Sequence, residues 1–284
     1  MIDGSGKPAF AADVAVKDGK VAAVGRIAGL GAEEIDATGK IVTPGFIDIH
    51  THYDSQAIWD QQMAPSSWHG VTTVVMGNCG VGFAPVRPAD REAVIELMEG
   101  VEDIPGACLH QGLQWNWESF ADYLDALDAQ PDDMDICAQL PHGPLRVYVM
   151  GERALRLENA TADDIAQMRK LTADAMRAGG FGFSTSRTIS HKTVKGDPTP
   201  MLRAPEDELT VTAALAAAGD RRVLVLCQVN MRASSMVFLH RVLVGHEPPE
   251  KAYDAVAQVW SPEGPWRALI VALLQKHGLA FEPY

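Results

Sequence analysis

Residues 41–54 read Ile-Val-Thr-Pro-Gly-Phe-Ile-Asp-Ile-His-Thr-His-Tyr-Asp, and no other stretch constrains the fold as tightly. Pro44-Gly45 breaks the chain ahead of an apolar run from Phe46 to Ile49, after which histidines replace aliphatics. A short apolar run bounded by a turn predicts a buried strand. Successive side chains of a strand point to opposite faces, so His50 and His52 share one face and Thr51 points away. Two imidazoles on one face at a strand end are placed to share a divalent ion such as zinc, at nitrogen–metal distances of roughly 2.0–2.1 Å. Bare His-x-His pairs are also ordinary strand-end residues, so the decision rests with the remainder of the chain.

Further strands are predicted at Val71–Met76, Met134–Leu140, Phe181–Ser184 and Val223–Gln228, each apolar and bounded by turn residues. Between them lie helical patterns at Pro88–Val101, up to Leu127 after an aromatic segment, from Thr161 to Gly179-Gly180, and at Glu206–Ala218. Strands alternating with helices predict a parallel βαβ architecture. Five barrel strands can be counted from Phe46, whereas a closed (β/α) barrel has eight strands in about 250 residues. Residues 229–284 carry two predicted helices, Glu250–Val259 and Pro265–His277, and no strand run. The expected fold is therefore α/β, an incomplete barrel over 44–229 with open edges at the Phe46 and Val223 strands. Open edges invite self-association. A small β domain is expected over 1–43, with a hairpin around Asp18-Gly19 and a third strand at Glu34–Ile35. Residues 230–284 are expected to form a divergent, poorly anchored helical tail.

The net charge of −13, with basic residues scattered, argues against a nucleic-acid partner or an anionic membrane surface. No apolar stretch reaches the roughly 18–20 residues that span a bilayer. The four cysteines show no Cys-x-x-Cys pairing, and the first residues lack the basic end and apolar core of a signal peptide. These features predict a cytoplasmic protein with reduced thiols.

Cys79 closes the second predicted barrel strand in Val-Val-Met-Gly-Asn-Cys-Gly-Val-Gly. Adjacent parallel strands run about 4.8 Å apart, which brings its sulfur within reach of a metal held by His50 and His52. Thiolate binds zinc at roughly 2.3 Å. A lone cysteine is otherwise an inert packing residue.

These motifs occur together with Trp59–Pro65, Ser67-Trp68-His69-Gly70-Val71-Thr72-Thr73, Pro141-His142-Gly143-Pro144-Leu145-Arg146 and Gly182-Phe183-Ser184-Thr185-Ser186. The set resembles the amidohydrolase superfamily, in its N-acyl-D-amino-acid deacylase (D-aminoacylase) branch. The resemblance implies that His50, His52 and Cys79 belong to a zinc site. It further implies hydrolysis of the amide bond of a small N-acyl-D-amino acid, releasing a D-amino acid and a carboxylate. Relatives also use two later metal-binding histidines, commonly in His-Leu-Arg or His-Met-Arg and in Ser-His-His-Lys, and a late aspartate as ligand and general base. After Val225 the likeness fades, and Asn230-Met231-Arg232 has asparagine where histidine belongs. It also begins abruptly, with Met1 where a strand of the relatives would be ending. Two expectations follow from the resemblance: a zinc-dependent hydrolase, or a truncated and inactive amidohydrolase with at most a partial metal site.

Smaller candidates are more open. His142 and Arg146 follow the third barrel strand at the expected active face, where Arg146 would pair with a substrate carboxylate or stand as a plain surface arginine. Ser184 and Ser186 lack a nucleophile elbow and read as hydrogen-bonding serines. His69 reads as a packed helix residue, His191 as a solvated loop residue, and Asp54 as a residue that would orient His52.

Overall fold

The computed structural model describes residues 1–204 and 231–284. An antiparallel pair, β1 (Asp13–Lys17) and β2 (Lys20–Gly25), stands apart from a parallel sheet. That sheet runs β3 (Phe46–Asp48), β4 (Val71–Met76), β5 (Asp135–Pro141), β6 (Gly182–Ser184), in chain order. Asp18 and Gly19 turn the hairpin with φ of 52° and 70°, the left-handed values that a two-residue loop requires. The expected strand at Glu34–Ile35 does not form. Instead the Glu34 carboxylate accepts from the Gly31 N–H and Asp36 accepts from the Thr38 N–H, both at 2.9 Å. Such local bonds offer the backbone an alternative to a ladder.

Helices return the chain between parallel strands. α1 (Arg91–Glu102) buries Val94, Ile95, Leu97 and Met98 on one stripe, against a core that includes Val74, Met76, Phe83, Leu140 and Leu145. Two short helices were hidden in the sequence. α2 (Gly106–Gly112) begins and ends on glycine, and a Cβ at Gly112 would run into the Trp59 indole. α4 (His142–Met150), after α3 (Phe120–Asp128), starts at once on His142-Gly143-Pro144, which reads as a turn. Pro144 lies in the first turn, where the N–H it lacks is not needed. α5 (Glu152–Leu155) precedes α6 (Ala162–Ala178), which has the caps its sequence promises. Thr161 and Asp164 form a reciprocal capping box, and Gly179 ends the helix at φ 119°.

The β3 strand departs from expectation. It is not buried: Phe46, Ile47 and Ile49 are 59%, 63% and 47% exposed. β3 pairs only with β4 among the described residues, so it is the sheet's edge and one side of it lacks a cover. The parallel sheet is thus a curled half-barrel. The predicted helix Glu206–Ala218 and strand Val223–Gln228 lie outside the described residues. From Met231 onward the described chain is helical, with α7 (Met231–Leu243), which the sequence did not reveal, α8 (Pro249–Ala257) and α9 (Gly264–Lys276). These three build a second core around Phe238, Tyr253, Val256, Ile270 and Leu274. The tail therefore has an apolar core of its own, and no strand within it returns to β3.

The α6 cap gives the fold a pH signature. The Arg153 guanidinium, bonded to Asp164 at 2.9 and 3.2 Å, holds its carboxyl down to about 2 against the opposing effect of burial, with Thr161 adding to the lowering. A depressed carboxyl contributes stability above its unfolded value, and this is lost as pH falls through the folded one. Asp164→Asn should lower the melting temperature at neutral pH and flatten the acid loss of stability between about pH 4 and 2. Thr161→Ala should cost about 1 kcal/mol. Unchanged melts of both variants across this range would contradict the assignment.

Candidate metal centre

The C-terminal ends of the four parallel strands are bound to one another by a buried polar network. β4 ends in Gly77-Asn78-Cys79-Gly80, where Gly77, Cys79 and Gly80 all have positive φ, 77°, 55° and 73°. Gly77 is obligatory on two counts: L side chains rarely adopt its φ, and a Cβ there would collide with the Gln139 carbonyl of β5. The Asn78 carboxamide donates to the Thr51 carbonyl at 3.1 Å and to the Val75 carbonyl at 2.8 Å, and accepts from Gln139 Nε2 at 2.8 Å. It therefore ties β3, β4 and β5 together in one side chain. Thr51 adds its own N–H and hydroxyl to the Val75 carbonyl. Ser184 of β6 donates its hydroxyl to the Gly77 carbonyl and accepts from the Gly80 N–H at 3.0 Å. Ser184 is thus the hydrogen-bonding serine the sequence suggested, buried rather than in a loop.

This network fixes a tight turn whose Cys79 side chain stands beside His50 and His52, which follow the end of β3. Cys79 Sγ lies 3.3 Å from His50 Nε2, and the His50 and His52 rings are 5.5 Å apart, edge to face. One donor atom from each of His50, His52 and Cys79 lies within 4.8 Å of the others. Ligands bound tetrahedrally at roughly 2.0–2.3 Å are roughly 3.5 Å apart, so this donor set fits a zinc-type ion with slight closure. A soft thiolate and two imidazoles also suit that ion chemically. His50 is exposed, whereas His52 and Cys79 are half-buried.

The surroundings of His52 were not legible in the sequence. Its Nε2 lies 3.2 Å from Glu102 Oε1 at the end of α1, and its Nδ1 is buried without a hydrogen-bond partner among the described residues. Burial, then His50, then His191 push the His52 pKa down to about 4. Burial, then Asp103, push Glu102 up to about 7. Burial rather than the partner governs both groups, so at neutral pH the imidazole of this contact is neutral and the pair is a hydrogen bond, not an ion pair. His191 accordingly sits within electrostatic reach of the site rather than in open solvent. His69, expected to be packed, is exposed in a single 3-10 turn. Asp54 is buried, receives the Gly77 N–H, and is pushed up to about 7 chiefly by burial.

His142 and Arg146 sit on α4 directly after β5, both buried. His142 Nδ1 meets Thr185 Oγ1 at 2.9 Å, and Arg146 Nη2 donates to the Glu158 carbonyl at 2.9 Å. Arg146 is therefore no surface arginine. Ser186 is buried as well, with its hydroxyl 3.5 Å from the Thr188 N–H.

A curled parallel sheet that presents two histidines and a cysteine beyond its strand ends agrees with the family that the sequence itself matches. The sequence profile described as "Amidohydrolase family" fits residues 33–241, and the chain belongs to that family. It is 38% identical over 186 residues to a D-aminoacylase of Alcaligenes xylosoxydans xylosoxydans, a match that covers 65% of this chain and 36% of that one. Among solved structures it is similar to a D-aminoacylase with a binuclear metal centre, at 29% identity and a TM-score of 0.62, covering 90% of this chain and 48% of the other. It is also similar to N-acyl-D-glutamate deacylase from Bordetella bronchiseptica complexed with zinc and a phosphonate inhibitor, at 28% identity and a TM-score of 0.59, covering 86% and 48%. The chain spans about a third to a half of the length of these relatives. No helix among the described residues is long and apolar enough to cross a membrane.

If Asn78 is what holds Cys79 beside His50, its removal should act on stability and metal affinity together. Asn78→Ala leaves the Thr51 carbonyl and the Gln139 amide without this partner, which should cost roughly 1–3 kcal/mol. Zinc affinity, measured by competition with a chromophoric chelator, should fall in the same variant. A full-affinity, wild-type-stable Asn78→Ala protein would contradict this role.

Proposed function

We propose that this chain carries the metal-binding part of a zinc-dependent hydrolase that cleaves the amide bond of N-acyl-D-amino acids, releasing a D-amino acid and a carboxylate. The observation that carries the reading is the convergence of His50, His52 and Cys79 within 4.8 Å at the ends of adjacent parallel strands. It is supported by the D-aminoacylase and deacylase names of the relatives. In this reading His50, His52 and Cys79 are the ligands, and His142 and Arg146 face the substrate side. A divalent ion held by such ligands polarises an amide carbonyl and lowers the pKa of a coordinated water toward about 7. The chain's own contribution is positional. The Gly77–Gly80 turn fixes the thiol, and burial keeps His52 neutral and therefore able to ligate.

A second reading rests on Asn230, which the family resemblance sets in place of a metal-binding histidine. In it the chain binds metal at a partial site and turns over nothing. Turnover separates the two. The first predicts chelator-sensitive hydrolysis of N-acetyl-D-methionine or N-acetyl-D-glutamate, restored by zinc; the second predicts bound zinc without hydrolysis. Both predict that Cys79→Ala and the His50→Ala/His52→Ala double variant lose most of the zinc. Zinc content equal to wild type in these variants would refute the site. Activity that survives exhaustive chelation, or that prefers the L-enantiomer, would refute the reaction.

The exposed edge of β3 belongs to the same proposal, as the surface through which the chain self-associates. Sedimentation should show oligomers whose fraction rises with concentration, and a monomer at all concentrations would contradict this.

A further inference from the structure

We propose that Arg187 is a specificity-determining residue of the site, anchoring the carboxylate of the N-acyl-D-amino acid. The inference rests on the substrate class proposed above and adds the residue that recognises its charged end. An N-acyl-amino acid is an anion at neutral pH, and a chain of net charge −13 repels it unless a cation stands at the site. A guanidinium suits that task, because its planar fork meets a carboxylate with two parallel hydrogen bonds.

The chain after β6 supplies one beside the metal centre. Its first residues lie against the turn that holds Cys79: a Cβ on Gly80 would stand 3.1 Å from Thr185 Cα and 3.3 Å from Ser186 N. Thr185 Oγ1 also meets His142 Nδ1 at 2.9 Å. Further on, residues 192–194 lie against α1 so closely that a Cβ on Gly100 would collide with their backbone. The Val194 N–H bonds the Glu96 carbonyl at 3.0 Å, and Lys195 pairs with the Glu96 carboxylate. Two residues beyond Gly100, Glu102 lies 3.2 Å from His52. The span 185–191 is thus pinned beside Cys79 at one end and near His52 at the other. Its last residue, His191, bears electrostatically on His52.

Within that span, Thr-Ser-Arg-Thr-Ile-Ser-His, Arg187 is the only arginine or lysine. It is exposed and follows directly on the buried Ser186. Arg146 is 1% exposed and donates from Nη2 to the Glu158 carbonyl, so Arg187 rather than Arg146 is the guanidinium that solvent reaches. Hydroxyl contacts stiffen the span: Thr188 Oγ1 and Ser190 Oγ are 2.8 Å apart, and Thr188 Oγ1 accepts from the Ser190 N–H at 3.4 Å. An anchor carried on an ordered segment loses less freedom on binding.

The test is calorimetric binding to the full chain, with zinc present, of two probes. One is N-methylsulfonyl-D-methionine, whose sulfonamide resists hydrolysis; the other is its neutral carboxamide. The wild type should bind the acid more tightly than the amide. Arg187→Ala should weaken the acid about 10–100-fold, as loss of a charge-assisted pair does, and leave the amide unchanged. Arg187→Lys, which keeps the charge without the fork, should fall between the two. Lys192→Ala, which removes an exposed cation just beyond the span, should match the wild type. An Arg187→Ala protein that prefers the acid by the wild-type ratio would overturn the proposal, and so would an equal loss in Lys192→Ala. If the wild type binds the L-acid as tightly as the D-acid, the D-amino-acid reading fails, and the acid-to-amide ratio in Arg187→Ala then judges the anchor alone: lost upholds it, retained overturns it. A wild type that binds neither probe overturns both.

Discussion

One buried carboxamide holds the functional end of this molecule together. Asn78 spends both of its Nδ2 hydrogens on carbonyls, those of Thr51 and Val75, and its oxygen on Gln139. A backbone turn that contains three left-handed residues has no ladder bonds of its own to offer, so this side chain does what a continued sheet would otherwise do. Each buried partner left unmatched would cost roughly 1–3 kcal/mol, a sizeable share of a domain's net stability. Removing the carboxamide would therefore loosen Cys79 and the end of β3 together. The position of the thiol relative to His50 is a consequence of that restraint.

The polar burial of the chain follows the same line. Thr51, Asp54, Asn78, Gln139, His142 and Ser184 are all buried, and all lie at or just beyond the C-terminal ends of the parallel strands. The core between sheet and helices is mainly apolar, filled by Val74, Met76, Leu97, Leu140 and Leu145, and a polar residue buried in it away from the strand ends, Thr172 of α6, returns its hydroxyl to the Met168 carbonyl. Buried polar groups need partners, and a protein interior collects them where function requires them. Asp54, raised to about 7 mainly by burial, and Tyr123, which donates its hydroxyl to the Asp54 carbonyl at 2.6 Å, mark how dry this end is.

Local sequence patterns disclosed some of this and not the rest, for identifiable reasons. β-branched continuity located β4 to the residue, and the Thr161–Asp164 spacing disclosed the α6 cap. Strand alternation predicted His50 and His52 on one face; β3 ends at Asp48, so they lie just beyond it, yet their rings are 5.5 Å apart and Cys79 from the turn after β4 lies beside them. The helices α2 and α4 escaped because Gly and Pro read as breakers, although Gly112 is required by the Trp59 ring and Pro144 sits harmlessly in a first turn. The exposure of Phe46 and Ile47 escaped because an apolar run says nothing about whether a neighbour covers its second side. Glu102 could not have been found from spacing at all. It lies at the far end of α1, fifty positions along the chain from His52, and only the return of that helix over the strand ends brings them together.

The central claim is that His50, His52 and Cys79 bind one ion together. X-ray absorption at the zinc edge of the loaded chain tests it most directly, because sulfur and nitrogen scatterers are distinguished by distance and phase. One sulfur at roughly 2.3 Å and at least two imidazole nitrogens at roughly 2.0–2.1 Å should be seen, with the sulfur shell absent in Cys79→Ser. A first shell of nitrogen and oxygen alone in the wild type, or a sulfur shell that persists in Cys79→Ser, would contradict it.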